Sequence, residues 1–200
     1  MAAMLHRLTL VLLVVAATVS YAQHPAAYGR ALDGNAVTDL ARPSTKAVVL
    51  FFVASECPIS NRTFPEMKRV REAFVTADVR FWFVYPNADE TPEAVRAHQA
   101  SFDPGGEVLL DPDGRLTHLT GATTTPEVAV LLPNGSSWKP VYVGRIDDRY
   151  VRLGIERPQA TEHFAERILR EVLDGKPVER ATGSPVGCSI MSASFGRGMR

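Results

Sequence analysis

The chain has 200 residues, of which 46% are apolar and 22% are charged, so its length and composition predict one globular domain with a sizeable core. Basic and acidic residues number 22 each, and this balance gives no electrostatic reason to expect a nucleic-acid partner. The two cysteines are too few for a disulfide-built scaffold, so they either form one structural disulfide or include at least one reactive thiol.

Residues 1–22 have the three parts of a secretory signal peptide. Arg7 provides a positive start, an apolar run follows from Leu8 to Val19, and Ser20 and Ala22 suit cleavage before residue 23. The run is shorter than the roughly 20 residues of a membrane span, which favours cleavage over an uncleaved anchor. The segment has no cysteine for a lipid anchor. We therefore expect an exported protein, most simply periplasmic, without a stable membrane anchor, in a compartment that tolerates disulfides.

After this segment we expect a loose lead-in with one short strand over 23–45, a folded domain over 46–178, and a flexible tail over 179–200 that carries a cysteine. Apolar, β-branched and aromatic runs predict five strands, at Lys46–Ala54, Val79–Pro86, Glu107–Asp111, Glu127–Pro133 and Trp138–Ile146. Helical spacing and start signals predict four helices, at Pro58–Thr76, Thr91–Phe102, Asp113–Leu119 and Thr161–Leu173. Pro65 predicts that the first helix kinks there or begins after it.

The alternation of strands and helices predicts the fold class. The first half calls for an α/β fold with a parallel sheet and crossover helices, because parallel neighbours cannot be joined by tight turns. The Asn-Gly turn near residue 134 joins the last two strands into a hairpin, which adds an antiparallel edge. The expected architecture is a central mixed sheet flanked by helices.

Cys57 lies where the first buried strand passes into the first helix. Free backbone N–H groups and the helix dipole favour an anion at that place, so they lower the pKa of a cysteine and increase its reactive thiolate fraction. The carboxyl ends of strands are also where open α/β sheets carry their sites. Glu56 opposes the thiolate by charge repulsion. An inert buried cysteine remains the alternative.

Three segments resemble the thioredoxin-fold superfamily, and in particular exported redoxin-domain proteins similar to thiol–disulfide isomerases and AhpC-TSA proteins. They are "FFVASECP" around Cys57, "TTTPEVAVL" from Thr123, and "VYVGRIDDR" with Tyr142, Gly144, Arg145 and Asp147. The resemblance covers roughly Lys46–Leu173 and implies a thioredoxin-like redoxin domain. It also implies a cis Thr125–Pro126 bond before the fourth strand, beside the active cysteine, where a substrate peptide or second thiol pairs. An ordinary turn proline is the alternative.

Three well-marked subtypes of this superfamily do not fit the residues around Cys57. Ser60 stands where Cys-x-x-Cys reductases have their second cysteine. Ala54 and Leu50 occupy the places of the threonine and proline that peroxiredoxins use. Asn61 stands where copper chaperones of the Cys-x-x-x-Cys type have a cysteine. The resemblance therefore implies a one-cysteine site on a thioredoxin frame.

Cys188 is the candidate for the missing second thiol. It lies 14 positions beyond Asp174 (188 minus 174), and a flexible segment of that length spans about 20 Å. A domain of this size has a radius of gyration near 15 Å, so the tail can reach Cys57. The ending "GCSI" after "LDGKPV" also resembles exported redoxin proteins with a C-terminal cysteine. A static disulfide, worth about 4–5 kcal/mol in the chain-entropy model, and an unpaired cysteine stay open as alternatives.

The sequence thus predicts an exported thiol–disulfide oxidoreductase in which Cys57 is the nucleophile and Cys188 the resolving thiol. Thr125 and Pro126 shape the substrate groove together with Pro58 and Ser60, and Ser60 is expected to donate a hydrogen bond to the thiolate. The sulfurs carry the electrons, so no organic cofactor is expected. Substrates are protein or small-molecule thiols and disulfides, and an external thiol supplies electrons.

Two other functions remain open at this point. One is a peroxidase of the peroxiredoxin type. The other is a non-catalytic or copper-carrying module that serves a partner. No metal site is predicted, because the spacing of the histidines matches no metal motif; those considered are His98, His118 and His163.

Overall fold

The computed structural model describes residues 27–75, 77–179 and 181–191. The predicted signal peptide at 1–22 lies outside these residues. Within the described ranges, no helix is both long and apolar enough to cross a membrane.

The described chain alternates strands and helices in the predicted order. The strands are β1 (Gly29–Arg30), β2 (Ala36–Val37), β3 (Ala47–Phe52), β4 (Val79–Tyr85), β5 (Glu107–Leu110), β6 (Thr124–Thr125), β7 (Glu127–Asn134), β8 (Ser137–Gly144), β9 (Tyr150–Arg152), β10 (Ile155–Glu156) and β11 (Cys188–Ser189). The helices are α1 (Pro58–Ala73), α2 (Pro92–Phe102), α3 (Arg115–Thr120) and α4 (Phe164–Leu173).

One mixed sheet of seven strands organises the domain, in the order β2-β1-β5-β4-β3-β7-β8. Strands β3, β4 and β5 run parallel, whereas β7 and β8 run antiparallel to their neighbours. The predicted parallel centre and antiparallel hairpin edge are both present. The carboxyl ends of β3 and β4 therefore meet at one edge of the sheet, which is where the chain enters α1.

Strand β3 shows why a continuous apolar run marks the centre of the sheet. Every residue from Ala47 to Phe52 is fully buried. Because side chains alternate between the two faces, Val49 and Phe51 pack into the core beside α1 and α4, and Leu50 and Phe52 pack into the core on the other face. This double burial fixes the position of the residues that follow the strand.

Two predictions about elements need correction. Helix α1 begins at Pro58, as predicted, and continues through Pro65, so of the two predicted alternatives the one in which the helix begins after Pro65 is wrong. A proline removes only one helical hydrogen bond, and the buried side chains of Phe64, Met67 and Val70 anchor the same helix in the core. The lead-in has two short strands rather than one, since β1 pairs with β2 and with the edge of β5.

Candidate active site

Cys57 is held at the junction between β3 and α1. It is the N-cap residue of α1, with Pro58 at the first helical position, and its carbonyl accepts the Asn61 amide at 3.0 Å. The Cys57 amide donates a hydrogen bond of 3.2 Å to the Ala54 carbonyl, which closes the turn before the helix. Only 1% of Cys57 is exposed. The predicted position at a strand end and helix start is therefore present, but the thiol is covered.

The loop before β7 lies directly against Cys57. Its Thr125–Pro126 peptide bond is cis, and the Cys57 thiol donates to the Thr125 carbonyl at 3.1 Å. The buried carboxylate of Glu127 accepts the backbone amides of Thr123 and Thr124 at 2.8 and 3.1 Å, which fixes the loop from behind. Sequence reasoning did not assign Glu127 a role; its signal was an acidic residue at the start of an otherwise apolar strand.

The C-terminal tail covers this loop. Strand β11 pairs antiparallel with β6, with Cys188 opposite Thr125 and Ser189 opposite Thr124. The Ile190 amide donates a hydrogen bond of 3.0 Å to the Thr123 carbonyl, and the Ile190 side chain is buried in the core. The tail that the sequence predicts to be flexible thus contains a short strand, and that strand brings Cys188 to the cysteine on α1.

Gly187 allows the tail to come this close. A Cβ atom on Gly187 would lie 2.0 Å from the Thr125 carbonyl oxygen, closer than two such atoms can approach. Any side chain at this position therefore has to push β11 away from β6. Beyond Cys188, the Met191 amide donates to the side chain of Asn87 at 2.8 Å, which ties the tail to the end of β4.

The two thiols have opposite pKa shifts because Cys188 donates a hydrogen bond to Cys57, which favours ionisation of Cys57 and opposes ionisation of Cys188. Burial raises the pKa of Cys57, but hydrogen bonds from Cys188, Ser60 and the Thr125 side chain outweigh burial and lower it below its usual value of 9.0. The Thr125 carbonyl favours the neutral thiol, but the donors outnumber this single acceptor. Burial, the hydrogen bond to Cys57 and its negative charge raise the pKa of Cys188 to about 12. Cys57 therefore loses its proton before Cys188 does.

The remaining predicted groove residues lie around Cys57 but differ in access. Ser60 is fully buried, and its hydroxyl accepts the Ala54 amide at 3.4 Å, while it also contributes to the hydrogen bonding of Cys57. Thr125 is fully buried as well, whereas Pro58 is exposed. All the predicted site residues are thus brought together, with Cys188 supplied by the tail.

A polar network that sequence reasoning missed fixes the turn before Cys57. The carboxylate of Glu90 accepts both the backbone amide and the hydroxyl of Ser55, at 2.8 and 2.7 Å. Asn61 donates to the Ser55 carbonyl at 3.1 Å and accepts His98 Nε2 at 2.7 Å. Tyr85 completes the network at His98 Nδ1, at 2.7 Å. No local pattern marks these residues, because α1, α2 and β4 bring them together only in the folded chain.

His98 and His163, considered as metal ligands in the sequence, contact other side chains. Burial lowers the pKa of His98, which lies between Asn61 and Tyr85, and His163 pairs with Glu66 at 2.8 Å. Across the described ranges, no group of three or more histidine, cysteine, aspartate or glutamate side chains is placed to hold a metal ion. Arg145 donates to the backbone carbonyl of Asp147 at 3.2 Å, so it stabilises the turn after β8.

Comparisons with known proteins agree with this fold. A family model described as Redoxin matches residues 22–143. A structure of an uncharacterised conserved protein from Geobacillus kaustophilus is 23% identical, with a TM-score of 0.66, covering 84% of this chain and 90% of that one. A structure of a hypothetical protein from Sinorhizobium meliloti is 20% identical, with a TM-score of 0.70, covering 86% of this chain and 93% of that one.

A third structure is a secreted Mycobacterium tuberculosis disulfide oxidoreductase homologous to Escherichia coli DsbE. It is 17% identical, with a TM-score of 0.45, covering 74% of this chain and 93% of that one. Among curated proteins, none matches the chain. The sheet order and the family match together confirm the predicted α/β, thioredoxin-like fold.

Proposed function

The chain belongs to the redoxin family, and from this we propose that it is an exported thiol–disulfide oxidoreductase whose working groups are Cys57 and Cys188. The observation that carries the proposal is the pairing of β11 with β6, which brings the second cysteine to the first across the cis-proline loop. A thiol with a lowered pKa in hydrogen-bonding contact with a second thiol provides the nucleophile and the resolving group that a dithiol–disulfide cycle needs.

In the proposed cycle, the Cys57 thiolate attacks one sulfur of a substrate disulfide. A Cys57–substrate bond forms, the substrate disulfide breaks, and the other substrate sulfur leaves as a thiolate. Cys188 then attacks Cys57 Sγ, which releases the second substrate sulfur and leaves a Cys57–Cys188 disulfide. External thiols reduce that disulfide and complete the cycle. The same steps run in reverse when the partner is more oxidising.

The charge on Cys57 explains how Cys188 becomes reactive at the right step. Part of the raised pKa of Cys188 comes from the hydrogen bond and the negative charge of Cys57. Once Cys57 is bonded to substrate, that charge is gone and its contribution to the raised pKa disappears. Cys188 therefore loses its proton more readily after the first step than before it.

The groove residues have supporting roles in this proposal. Ser60 stabilises the thiolate by hydrogen bonding, and Pro58 begins the helix whose N-terminus favours the anion. Thr125 and Pro126 offer the backbone edge on which a second chain pairs. Because Cys57 is 1% exposed under the tail, β11 has to leave this edge before a protein substrate reaches the thiolate.

Export rests on the signal-peptide pattern at residues 1–22, with a lead-in at 23–45, the redoxin domain at 46–178 and the tail at 179–200. The proposed compartment is the periplasm, where a disulfide between the two cysteines persists. The partners proposed are thiol or disulfide substrates and an external thiol donor, without nucleic acid or a stable membrane anchor.

A reductase assay with a protein disulfide as substrate and an external dithiol as donor tests the proposal. We expect turnover by the wild type, none above background for Cys57→Ser, and a stalled mixed disulfide for Cys188→Ser. Ser184→Ala, a change at an exposed residue of the same tail, is the matched control and should retain activity. Rapid oxidation of Cys57 by peroxide without disulfide exchange would instead favour a peroxidase, and tight copper binding without exchange would favour a carrier module.

A further inference from the structure

The two sulfurs of the proposed disulfide differ in their access to solvent. Cys57 is 1% exposed and lies at the end of a fully buried strand. Cys188 is half-buried, and Ser189, the next residue in β11, is exposed. An external molecule that approaches the closed protein therefore meets the tail cysteine before it meets the helix cysteine.

The burial of the neighbouring residues strengthens this difference. A thiolate displaces one sulfur of a disulfide in line, so it needs free space beside the sulfur that it attacks. Cys57 lies among covered residues, since Ala54 is 3% exposed and Ser60 is fully buried. Cys188 is half-buried in β11 and is followed by the exposed Ser189, so its sulfur is the more accessible of the two.

We propose that the external thiol which regenerates the reduced protein attacks Cys188 Sγ, and that Cys57 is the leaving group. This inference rests on the proposed function, because it requires a Cys57–Cys188 disulfide. The donor sulfur bonds to Cys188, the Cys57–Cys188 bond breaks, and its electron pair stays on Cys57 as a thiolate. A second donor thiolate attacks the donor sulfur and releases Cys188, which takes up a proton. Two donor thiols become one disulfide.

The stabilities of the two thiolates favour the same direction. A disulfide opens faster when the departing thiol has the lower pKa. When one cysteine departs, the other is bonded to the donor and has neither a charge nor an S–H group, so only the remaining neighbours act on the departing sulfur. A departing Cys57 thiolate still accepts hydrogen bonds from Ser60 and the Thr125 side chain, whereas burial still raises the pKa of a departing Cys188. The donors around Cys57 therefore favour its departure.

The seated tail also restricts how the donor is recognised. Strand β11 occupies the backbone edge of Thr124 and Thr125, so a donor cannot pair with that edge while the tail is in place. The regenerating thiol is therefore selected by its access to Cys188. The substrate, by contrast, meets Cys57 only after the tail has moved.

The position of the mixed disulfide tests the proposal. Oxidised wild-type protein is mixed with reduced glutathione, quenched with acid within milliseconds to seconds, alkylated, and mapped by mass spectrometry. We expect glutathione on Cys188 and the alkylating group on Cys57. Glutathione mainly on Cys57 would overturn the inference and leave the proposed function standing. If the oxidised protein contains no Cys57–Cys188 bond, the proposed function itself fails.

A charge placed beside Cys188 provides a second, kinetic test that does not depend on trapping the adduct. Ser189→Asp puts a negative charge next to the attacked sulfur, so reduction by anionic glutathione at low salt should slow on the order of threefold. High salt should remove most of that effect. Ser184→Asp, at an exposed position further from Cys188 in the same tail, should leave the rate unchanged. An unchanged rate for Ser189→Asp would also overturn the inference.

Discussion

The two cysteines belong to regions held in very different ways. Cys57 follows a strand whose six residues are all fully buried, and it is the N-cap of a helix of 16 residues anchored in the same core. Cys188 lies in a strand of two residues that is joined to one loop. The first region gives the thiol a fixed position and a stabilised charge. The second gives the other thiol the freedom to leave and return, which a two-thiol cycle needs.

The attachments of the two regions support this difference. The tail is held by the buried side chain of Ile190 and by a few backbone hydrogen bonds, most of them to the loop of β6. We therefore expect the tail to open at a small free energy, while the junction at Cys57 opens only with the whole domain.

The largest effect on the position of the tail is expected from Gly187→Ala. The added methyl group would lie 2.0 Å from the Thr125 carbonyl oxygen, so β11 should separate from β6. Cys188 then acts as a cysteine on a flexible tether, and the equilibrium constant for the Cys57–Cys188 disulfide should fall about a hundredfold. Titration against glutathione measures this constant. Ser184→Ala is the control, and an equally stable disulfide in Gly187→Ala would show that β11 does not position Cys188.

A smaller effect is expected from Ile190→Ala. Removing most of a buried isoleucine side chain from the tail costs about 2 kcal/mol, which raises the open fraction of the tail roughly thirtyfold. Cys57 in the reduced protein should then react faster with iodoacetamide by a similar factor. Met191→Ala is the matched control, because Met191 is 72% exposed in the same segment. Equal rates in the two variants would mean that the tail does not cover Cys57.

The smallest effect concerns the charge on Cys57. Cys188→Ala removes a hydrogen-bond donor to the thiolate, so the pKa of Cys57 should rise and its thiolate fraction at neutral pH should fall. Cys188→Ser keeps a hydroxyl donor and should change the pKa less. Thiolate absorbance followed against pH measures both variants. Identical titrations in the wild type and Cys188→Ala would contradict the assigned donor.

The lowered pKa of Cys57 also affects the free energy of unfolding. The pKa of Cys57 is lowered in the folded protein, so its contribution is present above the unfolded value and is lost as pH falls through the folded value. The raised pKa of Cys188 has the opposite effect, but only as pH approaches 9.0, where the unfolded thiol ionises. Below that range, the free energy of unfolding of the reduced wild type should rise relative to Cys188→Ala as pH increases through the folded pKa of Cys57. Urea unfolding at several pH values checks the sign.

The two regions also differ in how far the sequence predicts them. The continuous run of β3 and the proline after Cys57 are local signals, so the strand, the helix start and the position of the thiol follow from the residues themselves. Strand β11 has no such signal, because two residues carry no periodicity. Its place depends on Thr124 and Thr125, more than 60 positions earlier, and on the missing side chain of Gly187.

The supporting residues around Cys57 illustrate the same limit. Glu90 contacts Ser55, and His98 contacts Asn61. The residues of each pair lie on different elements, and the packing of α2 against α1 brings them together. A single sequence shows them as one acidic residue in a loop and one histidine in a helix. Their contribution to the site depends on tertiary contacts that no local pattern records.

The central claim is that Cys57 and Cys188 cycle between two thiols and one disulfide. The most direct measurement is a redox titration of the purified protein in glutathione mixtures, with alkylation at each potential and mass spectrometry of the peptides that carry the two cysteines. The account predicts a single two-electron transition between the dithiol and a linked Cys57–Cys188 peptide pair. A protein that forms no such intramolecular link at any potential would contradict it.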